Sequence, residues 1–414
     1  MSEAISRCRI CGNSNLVPVV DLGIQALTGV FPKRRDEAIT SGPLQLVKCL
    51  GPNDEACGLL QLRHSYDLDE MYGANYGYRS GLNPSMVKHL HGRIEKVLAV
   101  ARLQPGDLVI DIGANDGTSL RAYPQGKYVL VGIDPTARKF REFYLPGIEL
   151  LTDFFSAALV RQSFPSRRAK VVTSFAMFYD LERPLDFMRE VHSILDDEGI
   201  WVFEQSYMPT MLETNSYDTI CHEHLEYYGL KQIKWMTDRT GLKIVDVETN
   251  DVNGGSFAVT VAKEGSRFGV SPEVGRLLRG EREAGLDSTA PYLAFADRAA
   301  AAKRRLLEFL GRARADGKTV AALGASTKGN VILQYCGITD ADLPRIGEVN
   351  DDKFGAFTPG TFIPIIPESE VLKLRPDFLV VLPWHFREFF VNNPRFSGLN
   401  LVFPLPTLEV VAVP

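Results

Sequence analysis

Leu108-Val-Ile-Asp-Ile-Gly-Ala-Asn-Asp-Gly117 reads as a short buried strand that runs into a glycine-bounded turn. Gly113 lets the backbone turn tightly at the strand's carboxyl end, where ligands approach open α/β sheets. The spacing is acid-x-Gly-x-x-x-Gly and not G-x-G-x-x-G, which suits S-adenosylmethionine better than a pyrophosphate. Working outward, Tyr128–Ile133 is a second strand, and Asp134 at its end offers a carboxylate to ribose hydroxyls. Val171–Phe175 and Ile200–Glu204 are further strands, with a helix over Leu185–Leu195 stopped by Asp196-Asp-Glu-Gly199. Upstream, a helix from Met86 sets Leu90, Ile94, Val97, Leu98 and Ala101 on one face. Downstream, Ile233–Thr240 reads as a helix, and Lys243–Glu248 and Ser256–Ala262 read as an antiparallel edge pair around Asn253-Gly-Gly255. Strands alternating with helices predict a doubly wound α/β sheet.

Asp111, Gly113, Asn115, Gly117, Asp134 and the pair Asp153-Phe154, at the adenine position after the third turn, form one set. That set resembles the class I methyltransferase fold. A Rossmann-like dehydrogenase is the competing reading. After Lys263 the character changes: Leu277–Ala315 is rich in Ala, Arg, Glu and Leu and reads as one or two long helices. Thr319–Leu323 then enters Gly324-Ala-Ser-Thr-Lys-Gly329, and Phe378–Leu382 enters Pro383-Trp384-His385. This is a second, smaller α/β unit. Lys328 beside a helix N-terminus suits a phosphate or diphosphate, and a tight turn with a solvated lysine is the alternative. Trp384-His385 is read either as a nucleotide-base contact or as a core Trp with a capping His.

The chain of 414 residues is long enough for two or three domains. A net charge of −5 argues against binding nucleic acid mainly through phosphates. No apolar run is long enough to span a bilayer, and Met1–Cys8 lacks the blocks of a signal peptide. No membrane partner and a cytoplasmic location are therefore expected, with a monomer or weak homo-oligomer. In a reducing compartment a cysteine cluster reads as metal ligands. Cys8-x-x-Cys11 is a knuckle, and Cys49 with Cys57 is a looser second pair. Four thiolates at two turns suit one structural zinc per chain.

Asp218-Thr-Ile-Cys-His-Glu-His-Leu-Glu-Tyr-Tyr-Gly229 holds two of the seven histidines. Imidazole is suited to moving protons near neutral pH. A metal site here lacks a third ligand at helpful spacing. The cluster is therefore read as a proton-transfer centre in which His222 is a structural histidine, with Tyr227 and Tyr228 as core aromatics.

With these parts in place, the chain resembles the sugar C-methyltransferases that act on nucleotide-linked 4-keto-deoxysugars. The resemblance rests on the Cys pairs, the Tyr76-Gly-Tyr78-Arg-Ser80-Gly81 loop, the Asp111–Gly117 turn and Glu204. It continues through the His-Glu-His cluster, Asn253-Gly-Gly-Ser256, Gly324–Asn330, Asn350-Asp-Asp-Lys-Phe-Gly355 and Pro359-Gly-Thr361. It implies three domains: a zinc-binding domain over 1–66, an S-adenosylmethionine domain over 67–264, and a C-terminal nucleotide-sugar-binding α/β domain over 265–414. It implies His224 as base with Glu223 and Tyr76 lining the site, and it adds Tyr78 and Ser80 to the cofactor set. Cys221, Tyr179, Ser326, Lys328, Asn330 and Asn350 are the expected substrate contacts. Relatives often carry Tyr where Cys221 stands, and a His within the segment here written Phe175–Leu181, where Tyr179 and Asp180 stand. The expected reaction is methylation alpha to the keto group, with C-3 favoured. O- or N-methylation of a small metabolite and a zinc-knuckle RNA methyltransferase are the alternatives.

Overall fold

The computed structural model describes residues 3–52, 55–66, 71 and 79–414. Three main sheets organise them. The central sheet has seven strands in the spatial order 242–250, 256–263, 195–206, 169–175, 108–112, 129–133 and 148–151. Numbered along the chain, that order is 6-7-5-4-1-2-3. Only Ser256–Lys263 runs antiparallel to its neighbours. The order reverses between Leu108–Ile112 and Ala169–Phe175, which opens a crevice at their carboxyl ends. Leu108–Ile112 is buried along its whole length, as the continuous apolar run requires.

The helix from Pro84 to Ala101 begins one turn earlier than the apolar stripe does. Asn83 caps it through Ser85 N, and proline stands at its first position. Its buried face is Leu90, Arg93, Ile94, Val97 and Ala101. Two local readings change. The alternation of strands and helices predicts a helix after the glycine turn, and the structure has there a single 3-10 turn over Leu120–Ala122, cut short by Pro124. Asp196–Gly199 does not end a helix in a loop: the helix stops at Ile194, and Leu195–Ser206 is one strand with a register shift between Leu195 and Ile200. Lys170 Nζ at 2.6 Å from Asp196 holds the irregular stretch against the neighbouring strand.

The C-terminal sheet has six strands in the order 365–367, 346–348, 320–323, 378–381, 400–403 and 409–412. All pairs are parallel except the last, so this is a second doubly wound sheet. The N-terminal sheet joins Leu16–Ala26, Ser41–Cys49 and Leu60–Leu62 to a strand far along the chain, Glu226–Tyr227. Its core residues Val20, Leu44, Leu46 and Leu62 share one apolar cluster with Leu323, Val331 and Leu333 of the C-terminal unit. The cysteine end, with Cys8, Ile10 and Leu59, packs into the cluster of the central sheet instead. No described helix is long and apolar enough to cross a membrane.

Candidate active site

The turn after Leu108–Ile112 is built for close approach. Gly113, Asn115 and Gly117 all take positive φ, at 72°, 50° and 73°. A Cβ on Gly113 would meet Met177 at 3.0 Å, so the loop lies flat against the next strand end. Asn115 N donates to Asp134 Oδ2 at 2.8 Å, while Thr136 N and Oγ1 both donate to Oδ1 at 2.7 Å. Three of about four acceptor positions on Asp134 are thus filled, and the carboxylate is held rigid. Thr173 Oγ1 donates to Asp111 at 2.5 Å, and burial pushes the Asp111 carboxyl up to about 7. Ser80 N donates to Asn115 Oδ1 at 3.0 Å, which ties the preceding loop to the turn.

These groups surround an open cavity of about 1510 Å³, mouth included. Ser80, Asp111, Gly113, Asn115, Asp134 and Phe154 line it. Gly117 and Asp153 do not. Gly117 backs onto the Tyr144 ring, and Asp153 is exposed with its carboxylate accepting Phe154 N at 2.7 Å. Phe154 and Phe155 form the apolar end expected for a base, while Asp111, Asp134 and Glu204 give the cavity a negative lining. A cation carrying an adenosine fits that donor set. Tyr76 and Tyr78 lie outside the described residues.

His224 Nδ1 stands 2.9 Å from the carbonyl of Thr219. A carbonyl only accepts, so Nδ1 carries the proton and Nε2 is the free base in the neutral ring. Burial, helped by the Lys328 ammonium, lowers this imidazole to about 4. The Tyr179 ring lies 4.3 Å from the imidazole, in the segment where a second histidine is missing. A small chamber of about 10 Å³, room for about one water, adjoins His224, walled also by Tyr179, Ser206, Thr219, Glu226 and Tyr227. Tyr179 and Ser206 line both spaces and so form the wall between His224 and the large cavity.

The orienting partner of His224 is the Thr219 carbonyl and not Glu223. Glu223 faces the N-terminal segment, with Thr28 Oγ1 at 3.5 Å, and burial raises its carboxyl. Cys221 is buried, and burial pushes its thiol up. His222 is fully buried, with Nε2 3.4 Å from Gly42 O and Tyr66 edge-on at 4.6 Å, a packed core histidine. Lys328 Nζ donates to Asn253 O at 2.5 Å, and burial lowers its ammonium against the pull of Asp218. Trp384 Nε1 donates to Asp218 Oδ2 at 2.9 Å, so the indole is committed to the fold. Ser326 caps the next helix through Gly329 N, Asn330 Nδ2 reaches Thr28 O at 2.8 Å, and Asn350 Oδ1 accepts Asp352 N at 3.1 Å. Among the described residues, neither cavity includes these last three or Lys328 in its walls.

Sequence reasoning missed two parts. The Thr219 carbonyl is a backbone group and has no residue-type signal. The second is the clamp on Glu204, a residue the resemblance included without a role: it stands on the wall of the large cavity, held by His89 Nε2 at 2.5 Å, Asn250 Nδ2 at 3.0 Å and Arg93 at 3.5 Å. His89, Arg93 and Lys96 follow at one helical face, and that spacing was its signal.

The ring titrations are directly testable. Burial is the leading cause that lowers His222, His224 and His385, to about 4, 4 and 3. All three should keep neutral-ring shifts from pH 8 down to pH 5 in a histidine NMR titration. A base at position 224 works in its neutral form, so if His224 has that role kcat/KM is expected to stay flat above pH 5 and to fall only as pH drops through about 4. A His224 midpoint near 6.5 would contradict the site geometry.

At the other end, the Sγ atoms of Cys8, Cys11, Cys49 and Cys57 all lie within 4.8 Å of one another, with two contacts at 3.5 Å. A zinc tetrahedron with 2.3 Å bonds has sulfurs about 3.8 Å apart, so the four fit the ion.

The strand order with its antiparallel Ser256–Lys263, and the acid-lined cavity at the switch point, define an S-adenosylmethionine-dependent methyltransferase of class I, with a structural zinc in its N-terminal segment. Residues 8–72 match a zinc binding domain family, 86–247 a methyltransferase domain family, and 251–406 the C-methyltransferase C-terminal domain family. The chain is 30% identical to C-methyltransferase NovU of Streptomyces niveus over 99% of its own length and 97% of that protein. The chain belongs to this C-methyltransferase family. Two solved structures are each similar over less than half of the chain. The CcbJ methyltransferase of Streptomyces caelestis is 14% identical, covering 42% of this chain and 89% of that one, at a TM-score of 0.33. Magnesium protoporphyrin IX methyltransferase of Synechocystis PCC 6803 is 14% identical, covering 43% and 85%, at a TM-score of 0.34.

Proposed function

We propose that the enzyme methylates the carbon alpha to the keto group, C-3 favoured, of a nucleotide-linked 4-keto-6-deoxysugar. The observation that carries this reading is His224, a neutral imidazole fixed in one tautomer and one side chain away from the cofactor cavity. Carbon methylation needs a carbon nucleophile, and only a positioned base can make one from a ketone. His224 Nε2 takes the alpha proton, and the C–H electron pair moves into the enolate. Bound S-adenosylmethionine supplies an electrophilic methyl on a sulfonium. Ser80, Asp111, Gly113, Asn115 and Asp134 would hold that cofactor in the acid-lined cavity, with the Asp134 carboxylate available to its ribose hydroxyls. Lys328 supplies positive charge near the enolate oxygen or the diphosphate. Tyr76, Tyr78, Glu223, Cys221 and Tyr179 remain in the proposed site, and Ser326, Asn330 and Asn350 remain proposed substrate contacts from the C-terminal unit. The proposed division is zinc-binding 1–66, cofactor 67–264 and nucleotide-sugar 265–414, in a cytoplasmic enzyme.

Mass spectrometry of products from S-adenosylmethionine with a panel of dTDP- and GDP-4-keto-6-deoxysugars tests the reading. The expected product gains a methyl on carbon alpha to the ketone. Methyl transfer only to oxygen or nitrogen would sink it.

A further inference from the structure

Arg9 lies inside the zinc knuckle, between Cys8 and Cys11, yet its side chain is only 2% exposed. The backbone explains part of this, since Arg9 N donates to Gln61 Oε1 at 3.1 Å. The guanidinium then reaches across the N-terminal sheet. Nη1 donates to Leu62 O at 2.6 Å, Nη2 to Ser65 Oγ at 3.0 Å, and Nε to Glu182 Oε2 at 3.1 Å. Glu226 Oε1 stands 3.8 Å away.

Those two carboxylates belong to different walls of the site. Glu182 lines the cofactor cavity, and Glu226 lines the chamber beside His224. Glu226 is buried, burial pushes its carboxyl well up, and the Arg9 guanidinium at 3.8 Å is the described positive charge that opposes that rise, beside a backbone contact at Leu181. The same two segments are stitched together by backbone. Leu225 N donates to Tyr179 O at 2.9 Å, and Leu62 N donates to Leu225 O at 2.8 Å. The loop 179–182 and the segment 224–226 therefore share one anchor, and Arg9 supplies its only described cation within 4 Å.

We propose that Arg9 is a positioning residue for methyl transfer, through which the zinc knuckle fixes both the cofactor-cavity loop and the segment carrying His224. The fork geometry is the reason for arginine: a lysine offers a point charge and cannot span Leu62, Ser65 and Glu182 together. The inference rests on the reading of the cavity and His224 as the active site.

The test uses Arg9→Met, Arg9→Lys and Glu182→Gln in the full-length zinc-loaded protein. Zinc content, melting, S-adenosylhomocysteine affinity by calorimetry, and kcat and KM are measured for each. Arg9→Met should keep one zinc, bind S-adenosylhomocysteine about tenfold more weakly and lower kcat about tenfold. Arg9→Lys should recover part of kcat, because charge still faces Glu226, but not the cofactor affinity. Wild-type affinity and kcat in Arg9→Met with zinc retained overturns the proposal. If Arg9→Met loses its fold, Glu182→Gln decides: weaker cofactor binding at full zinc supports the role, and wild-type binding overturns it. His224→Gln separates the two readings. Wild-type turnover there would remove the assignment of the base while leaving an affinity loss in Arg9→Met intact.

Discussion

His224→Gln is expected to lower kcat about a thousandfold and to abolish exchange of the substrate's alpha proton with solvent deuterium. Glutamine keeps the volume and can still donate to the Thr219 carbonyl at the place where Nδ1 now sits 2.9 Å away. It has no basic nitrogen. S-adenosylhomocysteine should bind the variant as it binds the parent, because His224 does not line the large cavity. The loss should therefore fall on kcat and not on cofactor affinity. NMR of the alpha proton in D2O, with and without S-adenosylmethionine, gives the readout. Wild-type exchange in the variant would remove His224 as base.

Cys49→Ser is expected to release the zinc and lower the melting temperature by roughly 10 °C. Cys49 is fully buried, and Asn13 Nδ2 stands 3.4 Å from its sulfur. Zinc held by four thiolates contributes folding free energy directly in small loop-rich segments. The effect should not stay local. The N-terminal sheet shares its apolar cluster with the C-terminal unit, and its fourth strand directly follows the segment that carries His224. Activity should fall with zinc content on chelation and return with added zinc. Unchanged melting in a zinc-free variant would show that the cysteines do not staple the fold.

The central sheet was legible because its strands are apolar runs cut by Gly, Asp and Pro, and a fully buried parallel strand leaves that mark. The zinc cysteines were legible from the knuckle alone, although Cys57 stands eight residues after Cys49. Local pattern failed where tertiary contact decides. Asp196–Gly199 has the composition of a turn and is the irregular stretch of the strand Leu195–Ser206: the ladder to Ala169–Phe175 pairs Leu195 and resumes at Ile200, and Lys170 supplies Asp196 with a counter-charge, a tertiary contact that local pattern does not carry. Glu226–Tyr227 carries no strand signal at two residues and exists only because Leu60–Leu62 receives it. Within the candidate site, His224 is singled out by its residue type, and the Thr219 carbonyl that selects its tautomer, being backbone, carries no such signal. Asp153 looked like an adenine contact by spacing, but the turn points Phe154 and Phe155 into the cavity.

The late fourth strand of the N-terminal sheet also bears on how the protein is made. On the ribosome, Leu16–Ala26, Ser41–Cys49 and Leu60–Leu62 emerge first, but the open edge of Leu60–Leu62 waits for residues 226 and 227. The apolar face of that sheet waits longer, for Leu323, Val331 and Leu333. The beginning of the chain is thus finished by its end. A nascent chain stalled before residue 330 presents an uncovered greasy surface to chaperones, and a gene cut at residue 66 yields two fragments that each lack part of the same sheet.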